Sequence, residues 1–219
     1  MVKDSRLYNS IRITALFVAL LWLIKIGEFL SGVSLHAFGV YPRELSHLSG
    51  ILSAPIIHGS FSHLISNSLP LLLLGSALLY GYPRARYLSL LIIWLVSGLG
   101  VWFFARESFH FGASGLTHGM FFFLFLSGIL RRDKRSIALL MIAFFMYGGM
   151  LLSVFPSEPD ISFEYHGFGA LGGLLSAYLF RSWDLPPARR YSWDIETETD
   201  DNVAIGDAWK IDEKDKPEY

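Results

Sequence analysis

The sequence predicts an all-α membrane protein built from six spanning helices, and three observations carry that expectation. Of 219 residues, 53% are hydrophobic and only 17% are charged, where a soluble domain of this length carries about a quarter charged residues. The apolar residues gather into six runs at about 11–31, 63–81, 87–105, 114–130, 136–155 and 166–183, each near the roughly 20 residues that cross a bilayer as a helix. Basic residues then alternate between the connections. Lys3, Arg6 and Arg12 precede the first run, Arg84 and Arg86 follow the second, Arg131, Arg132, Lys134 and Arg135 follow the fourth, and Arg181, Arg189 and Arg190 follow the sixth. The other connections hold Arg43 and Arg106, and the last of them carries Glu158, Asp160 and Glu164. Lys and Arg mark the cytoplasmic side, so both termini are expected in the cytoplasm and the span number is even.

The first run is too long for the apolar core of a cleavable signal, and it contains Lys25 and Glu28. Three residues apart, these two share a helix face; they either turn toward the bundle or snorkel to the interface. The connection that follows, about 32–62, is the long one. Its glycines, prolines and "HAFGVYPRE" predict a folded external loop or interfacial helices. The remaining connections are short: "YGYPRARY", "ARESFHFG", "RRDKR" and "FPSEPDISFEY". Residues 1–183 therefore form the membrane domain. Residues 184–219 carry eleven acidic and five basic side chains and the run "DIETETDDN", the composition of a solvated, disordered cytoplasmic tail.

Several function classes fall away on composition. There is no cysteine, which removes disulfides, thiolate nucleophiles and cysteine metal sites. A net charge of -1 provides no basic footprint for nucleic acid.

The informative residues are the polar ones where lipid is expected. "HGSFSHLISNSLP" puts His58, His63 and Asn67 at the outer end of the second span, with His63 and Asn67 on one helix face. The fourth span opens on Gly112-Ala113-Ser114-Gly115, and the sixth on "EYHGFGALGG" with His166 in its first turn. Spans two, four and six all descend from the outside, so these clusters lie at similar depth and can converge. Taken singly each has a plainer explanation. Ser114 can be a small packing residue, Gly169 and Gly173 a packing stripe, and His63 with Asn67 a hydrogen-bonding pair between helices. Taken together, polar groups at one depth in a membrane indicate a functional site. A serine hydroxyl needs a base, which histidine supplies, and acyl transfer needs donors for the oxyanion. Three histidines also raise a metal site, but carboxylates or cysteines at ligand spacing are missing and His58 and His63 fall on different faces.

Over residues 11–183 these motifs resemble the rhomboid family of intramembrane serine proteases. "GASG" carries Ser114 in the nucleophile position; His58, His63 and Asn67 match the second-span pattern; His166, Gly169 and Gly173 match that of the sixth span. "GVYPRELSHLSGILSAPIIHGSFSHL" is similar to the family's run from first loop to second span. The resemblance implies a six-helix rhomboid bundle with a long structured first external loop. It implies a Ser114–His166 dyad, an oxyanion site from His63, Asn67 and the Ser114 N–H, His58 bracing the first loop, and Gly115 meeting Gly169. No metal or cofactor is implied. The substrates would be other transmembrane proteins, cut near the outer membrane surface, with the enzyme in a bacterial cell membrane. Glu164, just before His166, is read as a solvated loop residue rather than a third triad member. Two departures stand out: the position four after the serine, usually aromatic, is His118, a packing neighbour of Ser114 or a rival base; and the first loop has "YPRE" in place of a Trp-Arg pair. The competing function is a catalytically silent family member that binds membrane clients; such members typically lack the serine or histidine, and both are present here.

Overall fold

The computed structural model describes residues 2–156 and 161–186. Within them the chain is helical, with α1 (Val2–Ser31), a short α2 (Gly50–Ser53), α3 (Phe61–Gly81), α4 (Arg86–Phe104), α5 (Ser114–Arg131), α6 (Lys134–Tyr147) and α7 (Phe163–Leu179). Five of the described helical segments, beginning at Ser5, Phe61, Arg86, Ser114 and Lys134, are long and apolar enough to cross a membrane. The sixth expected span, about 166–183, is the 17-residue α7, about 25 Å long. It starts three residues earlier than expected and ends at Leu179, with Arg181–Asp184 in a turn. The fifth, expected to reach 155, leaves α-helical geometry at Tyr147 and tightens into a 3₁₀ turn over Gly148–Leu151.

Local chemistry sets the helix starts. Ser60 caps α3 by accepting the His63 N–H (3.0 Å), Asp133 caps α6 by accepting from Arg135 and Ser136 (3.1 Å each), and Ser162 caps α7 by accepting from Tyr165 (3.2 Å). Each side chain satisfies donors that a helix start leaves open. Arg132 ends α5 in the left-handed region at φ 56°.

Helix α5 is the centre of the bundle, with twelve of its 18 residues buried. Large apolar side chains elsewhere face outward, among them Leu16, Leu23 and Phe145, at 63%, 67% and 80% exposure. Such a surface would aggregate in water and suits lipid. Because lipid tails are as apolar as leucine, close backbone packing rather than apolar burial holds membrane helices together. The α5–α7 contact has that character. A Cβ added at Gly169 would overlap the Gly115 carbonyl oxygen, and one at Gly173 would overlap that of Gly119.

The connection from α1 to α3 is folded, with 3₁₀ turns at His36–Phe38, Leu45–His47 and Ala54–Ile56 around α2. Val40, Ile51 and Ala54 pack with Val101, Ala105 and Tyr165 in a core of their own. Trp94 and Trp102 donate their indole N–H to the Ile51 and Glu44 carbonyls (3.0 and 3.1 Å). Lys25 and Glu28 turn toward the bundle, their side chains 11% and 9% exposed. Lys25 donates to Glu28 (2.8 Å) and to the Gly59 carbonyl (3.1 Å), and Glu28 accepts the Leu35 N–H (2.9 Å). This network ties α1 to both ends of the folded connection.

Asp184, the first residue expected in the tail, is buried at 8% exposure. Its carboxylate accepts the Arg84 and Ala85 N–H groups (2.9 and 3.0 Å), and its carbonyl accepts from Arg131 and Arg135. Asp184 thus packs against the helical bundle. The rest of the expected tail, from residue 187, lies outside the described residues.

Candidate active site

The site forms where α3, α5 and α7 begin. Helix α5 starts at Ser114 itself, and Ala113 before it offers no side-chain cap, in contrast to the capped starts of α3, α6 and α7. The first-turn N–H groups of α5 lie at the positive end of the helix dipole and suit an anion.

Gly112 makes the approach to that start. At φ +114° it occupies a region that favours glycine, and its N–H is held by the Ala54 carbonyl at 2.8 Å. Space gives a second reason for glycine: a Cβ here would lie 2.5 Å from His63 Cε1 and 2.7 Å from Nε2. The His63 ring therefore lies against the backbone just ahead of Ser114. His58 meets the His63 ring edge-on at 5.1 Å, and its Nε2 accepts the Ala113 N–H at 3.3 Å. It braces the serine-bearing segment, where the resemblance implied the first loop. Burial pushes the His58 imidazole down to about 4, so it is the neutral, accepting form that holds Ala113. Asn67 donates Nδ2 to the His63 carbonyl at 3.0 Å; the amide has a second N–H to offer.

His63, Asn67, Ser114, Thr117, His118 and His166 line one cavity of about 630 Å³. The Ser114 carbonyl accepts from Thr117 Oγ1 (2.9 Å) and pairs with His118 Nδ1 (2.7 Å). His118 Nε2 meets the Ser153 hydroxyl at 2.7 Å, and His166 Nδ1 meets the Ser153 carbonyl at 3.0 Å. The two imidazoles stack, centroids 3.9 Å apart and planes 10° apart. No hydrogen bond joins the Ser114 hydroxyl to His166 here; such bonds are often long in free enzymes and tighten with substrate. Glu164 is 3.4 Å from Arg106 and its side chain is 10% exposed. It is an ion-paired residue rather than a solvated one, and His166 Nδ1 is already engaged by Ser153. Among the described residues no group of three His, Asp or Glu is placed to hold a metal.

Residues 45–183 match the family description "Rhomboid domain". The chain belongs to the rhomboid family. Uncharacterized proteins of Mycobacterium bovis and Mycobacterium tuberculosis are each 36% identical to it over 173 residues, covering 74% of this chain and 72% of theirs. An uncharacterized Mycobacterium leprae protein is 34% identical, covering 74% of this chain and 68% of its own. Taken with the apolar helices, the rhomboid domain makes this an integral membrane protein.

Two polar residues of this rhomboid site carry no signal in the sequence. Ser153 sits in the α6–α7 connection, in a stretch that reads as ordinary span. His110 is buried, pairs with the Ser162 hydroxyl (2.6 Å) and with the Arg106 carbonyl (3.0 Å), and bridges to Val40 by two backbone bonds of 2.9 Å. It links the folded first connection to the capping residue of the helix that carries His166. Burial pushes its pKa below the ordinary histidine value. Neither partnership follows from spacing along the chain.

Proposed function

We propose that this protein is an intramembrane serine endopeptidase that cleaves transmembrane protein substrates near the outer membrane surface. One observation carries the reading. A serine at an uncapped helix start shares a cavity with a histidine from another helix and with two further donors, His63 and Asn67.

The chemistry follows from the placement. Ser114 Oγ adds to the scissile carbonyl while His166 takes its proton. The oxyanion is held by the Ser114 N–H, His63 and the second N–H of Asn67. Collapse expels the amine, which takes its proton from His166, and water then hydrolyses the acyl-enzyme by the same proton path. Placing donors where charge develops is the largest single contribution in such sites. In this reading α7 is the sixth span, both termini are cytoplasmic, and the cavity opens toward the outer face of a bacterial cell membrane.

The test is covalent labelling of the purified protein by a fluorophosphonate probe, paired with cleavage of a model transmembrane substrate. Ser114→Ala should lose both, since removing the nucleophile of a serine hydrolase costs up to about 10⁶ in rate. Substantial cleavage by that variant would overturn the proposal.

A further inference from the structure

The two stacked histidines are held by one residue that belongs to neither of their helices. Ser153 lies in the turn after the 3₁₀ segment Gly148–Leu151. It is 35 residues from His118 and 13 from His166. We infer that Ser153 is the positioning residue of the dyad, its carbonyl setting the tautomer of His166 and its hydroxyl holding His118 in the stacked arrangement. This inference rests on the Ser114–His166 reading of the site.

The tautomers follow from which partners can only accept. A carbonyl oxygen has no proton to give. His118 Nδ1 faces the Ser114 carbonyl at 2.7 Å, so in the neutral ring Nδ1 carries the hydrogen and Nε2 is the acceptor. That acceptor faces the Ser153 hydroxyl at 2.7 Å, so the hydroxyl donates. The other acceptor within reach of that hydroxyl, the Met150 carbonyl, is at 3.3 Å, and the shorter contact prevails. His166 Nδ1 faces the Ser153 carbonyl at 3.0 Å and carries the hydrogen for the same reason. Its free lone pair is then on Nε2, the atom a base must present to a serine hydroxyl.

The consequence is coupling. His118 is anchored to the carbonyl of the nucleophile residue, His166 stacks on it, and both are pinned at their far sides by the same turn. A change at Ser153 therefore acts on both rings at once. Ser153 acts through the rings it bonds.

The test uses the full chain in proteoliposomes with one transmembrane substrate, comparing Ser153→Ala, Ser153→Thr, His118→Phe and Ser153→Ala/His118→Phe. Ser153→Ala keeps the carbonyl and removes only the hydroxyl. It should lower kcat about tenfold at unchanged KM, as loss of one buried hydrogen bond allows. Ser153→Thr, which keeps the hydroxyl, should restore kcat. In the His118→Phe background the same alanine change should cost less than about twofold, because the hydroxyl has no ring nitrogen left to serve. An unchanged kcat in Ser153→Ala, or an equal loss in both backgrounds, overturns the inference. A second readout does not depend on turnover. Nitrogen NMR of histidine-labelled protein should show Nδ1–H tautomers for His118 and His166, with the His118 Nε2 resonance moving in Ser153→Ala. An Nε2–H tautomer on either ring overturns the inference. A wild-type protein unlabelled by fluorophosphonate would instead sink the protease reading, and the spectra would still decide this one.

Discussion

The imidazole rings of His118 and His166 lie parallel, 3.9 Å apart, with His118 bonded to the Ser114 carbonyl. That relationship assigns different work to two histidines that are both near the serine. Both nitrogens of His118 are engaged, by the Ser114 carbonyl and by Ser153, whereas His166 has one nitrogen engaged and one free. In the proposed reaction His166 is therefore the base, and His118 is the surface it rests on. His166→Ala should therefore be as inactive as Ser114→Ala, and the double variant no worse, because residues acting as one unit are not additive. His118→Phe keeps a flat ring under His166 and should stay within about tenfold of wild type. Single-turnover cleavage by these variants at fixed pH is the comparison; an inactive His118→Phe beside an active His166→Ala would exchange the two roles.

The His63 ring presses on Gly112 ahead of the serine, and Asn67 shares its cavity. In the proposed reaction each acts on charge that develops after attack. His63→Ala and Asn67→Ala should each lower kcat by roughly 10²–10³ with little change in KM, the cost of one oxyanion donor. A raised KM at normal kcat in either variant would make that residue a substrate contact.

Packing of α7 on α5 leaves no room at Gly169 and ample room two residues earlier. A Cβ at Gly169 would overlap the Gly115 carbonyl, while one at Gly167 would have only the Val154 carbonyl at 4.0 Å. Gly169→Ala should cost about 1–3 kcal/mol by forcing the helices apart. Gly167→Ala should be neutral or slightly stabilising, since alanine exceeds glycine in helix propensity by up to about 1 kcal/mol. Thermal unfolding of both in one detergent decides the matter, and equal midpoints would remove the close contact from the stability of the fold.

Burial holds the His58 pKa at about 4 against 6.5 for a free ring. Between those values the unfolded chain takes up a proton that the folded chain refuses. Stability supported by neutral His58 is therefore complete above pH 6.5 and declines as pH falls toward 4, by on the order of 3 kcal/mol for a shift of this size. His58→Gln can still accept the Ala113 N–H but does not titrate. Its unfolding midpoint should fall less steeply over that interval; a slope equal to wild type would assign the acid sensitivity to another group.

The six apolar runs, the alternation of basic connections and the three polar clusters were legible because each depends on residues close in sequence. Hydropathy over 20 residues identifies a span, and residues such as His63 and Asn67 show their shared face by spacing alone. Helix ends were less legible. Capped by Ser162, α7 begins three residues before the expected start, and α6 tightens at Tyr147, since hydropathy does not register a capping hydroxyl or a change of helical pitch.

That Ser114, His166, His63 and Asn67, which line one cavity, belong together could be read from the chain, because a membrane seldom admits such polar groups without a use for them. The partner of each nitrogen could not. Ser153 beneath both histidines, His58 on Ala113, His110 on Ser162 and Asp184 beneath the α3–α4 turn all join residues far apart in sequence. A hydrogen bond is settled within a few tenths of an ångström and by direction, and that precision exists only after the helices have docked, here through glycine faces on α5 and α7 that let two backbones touch.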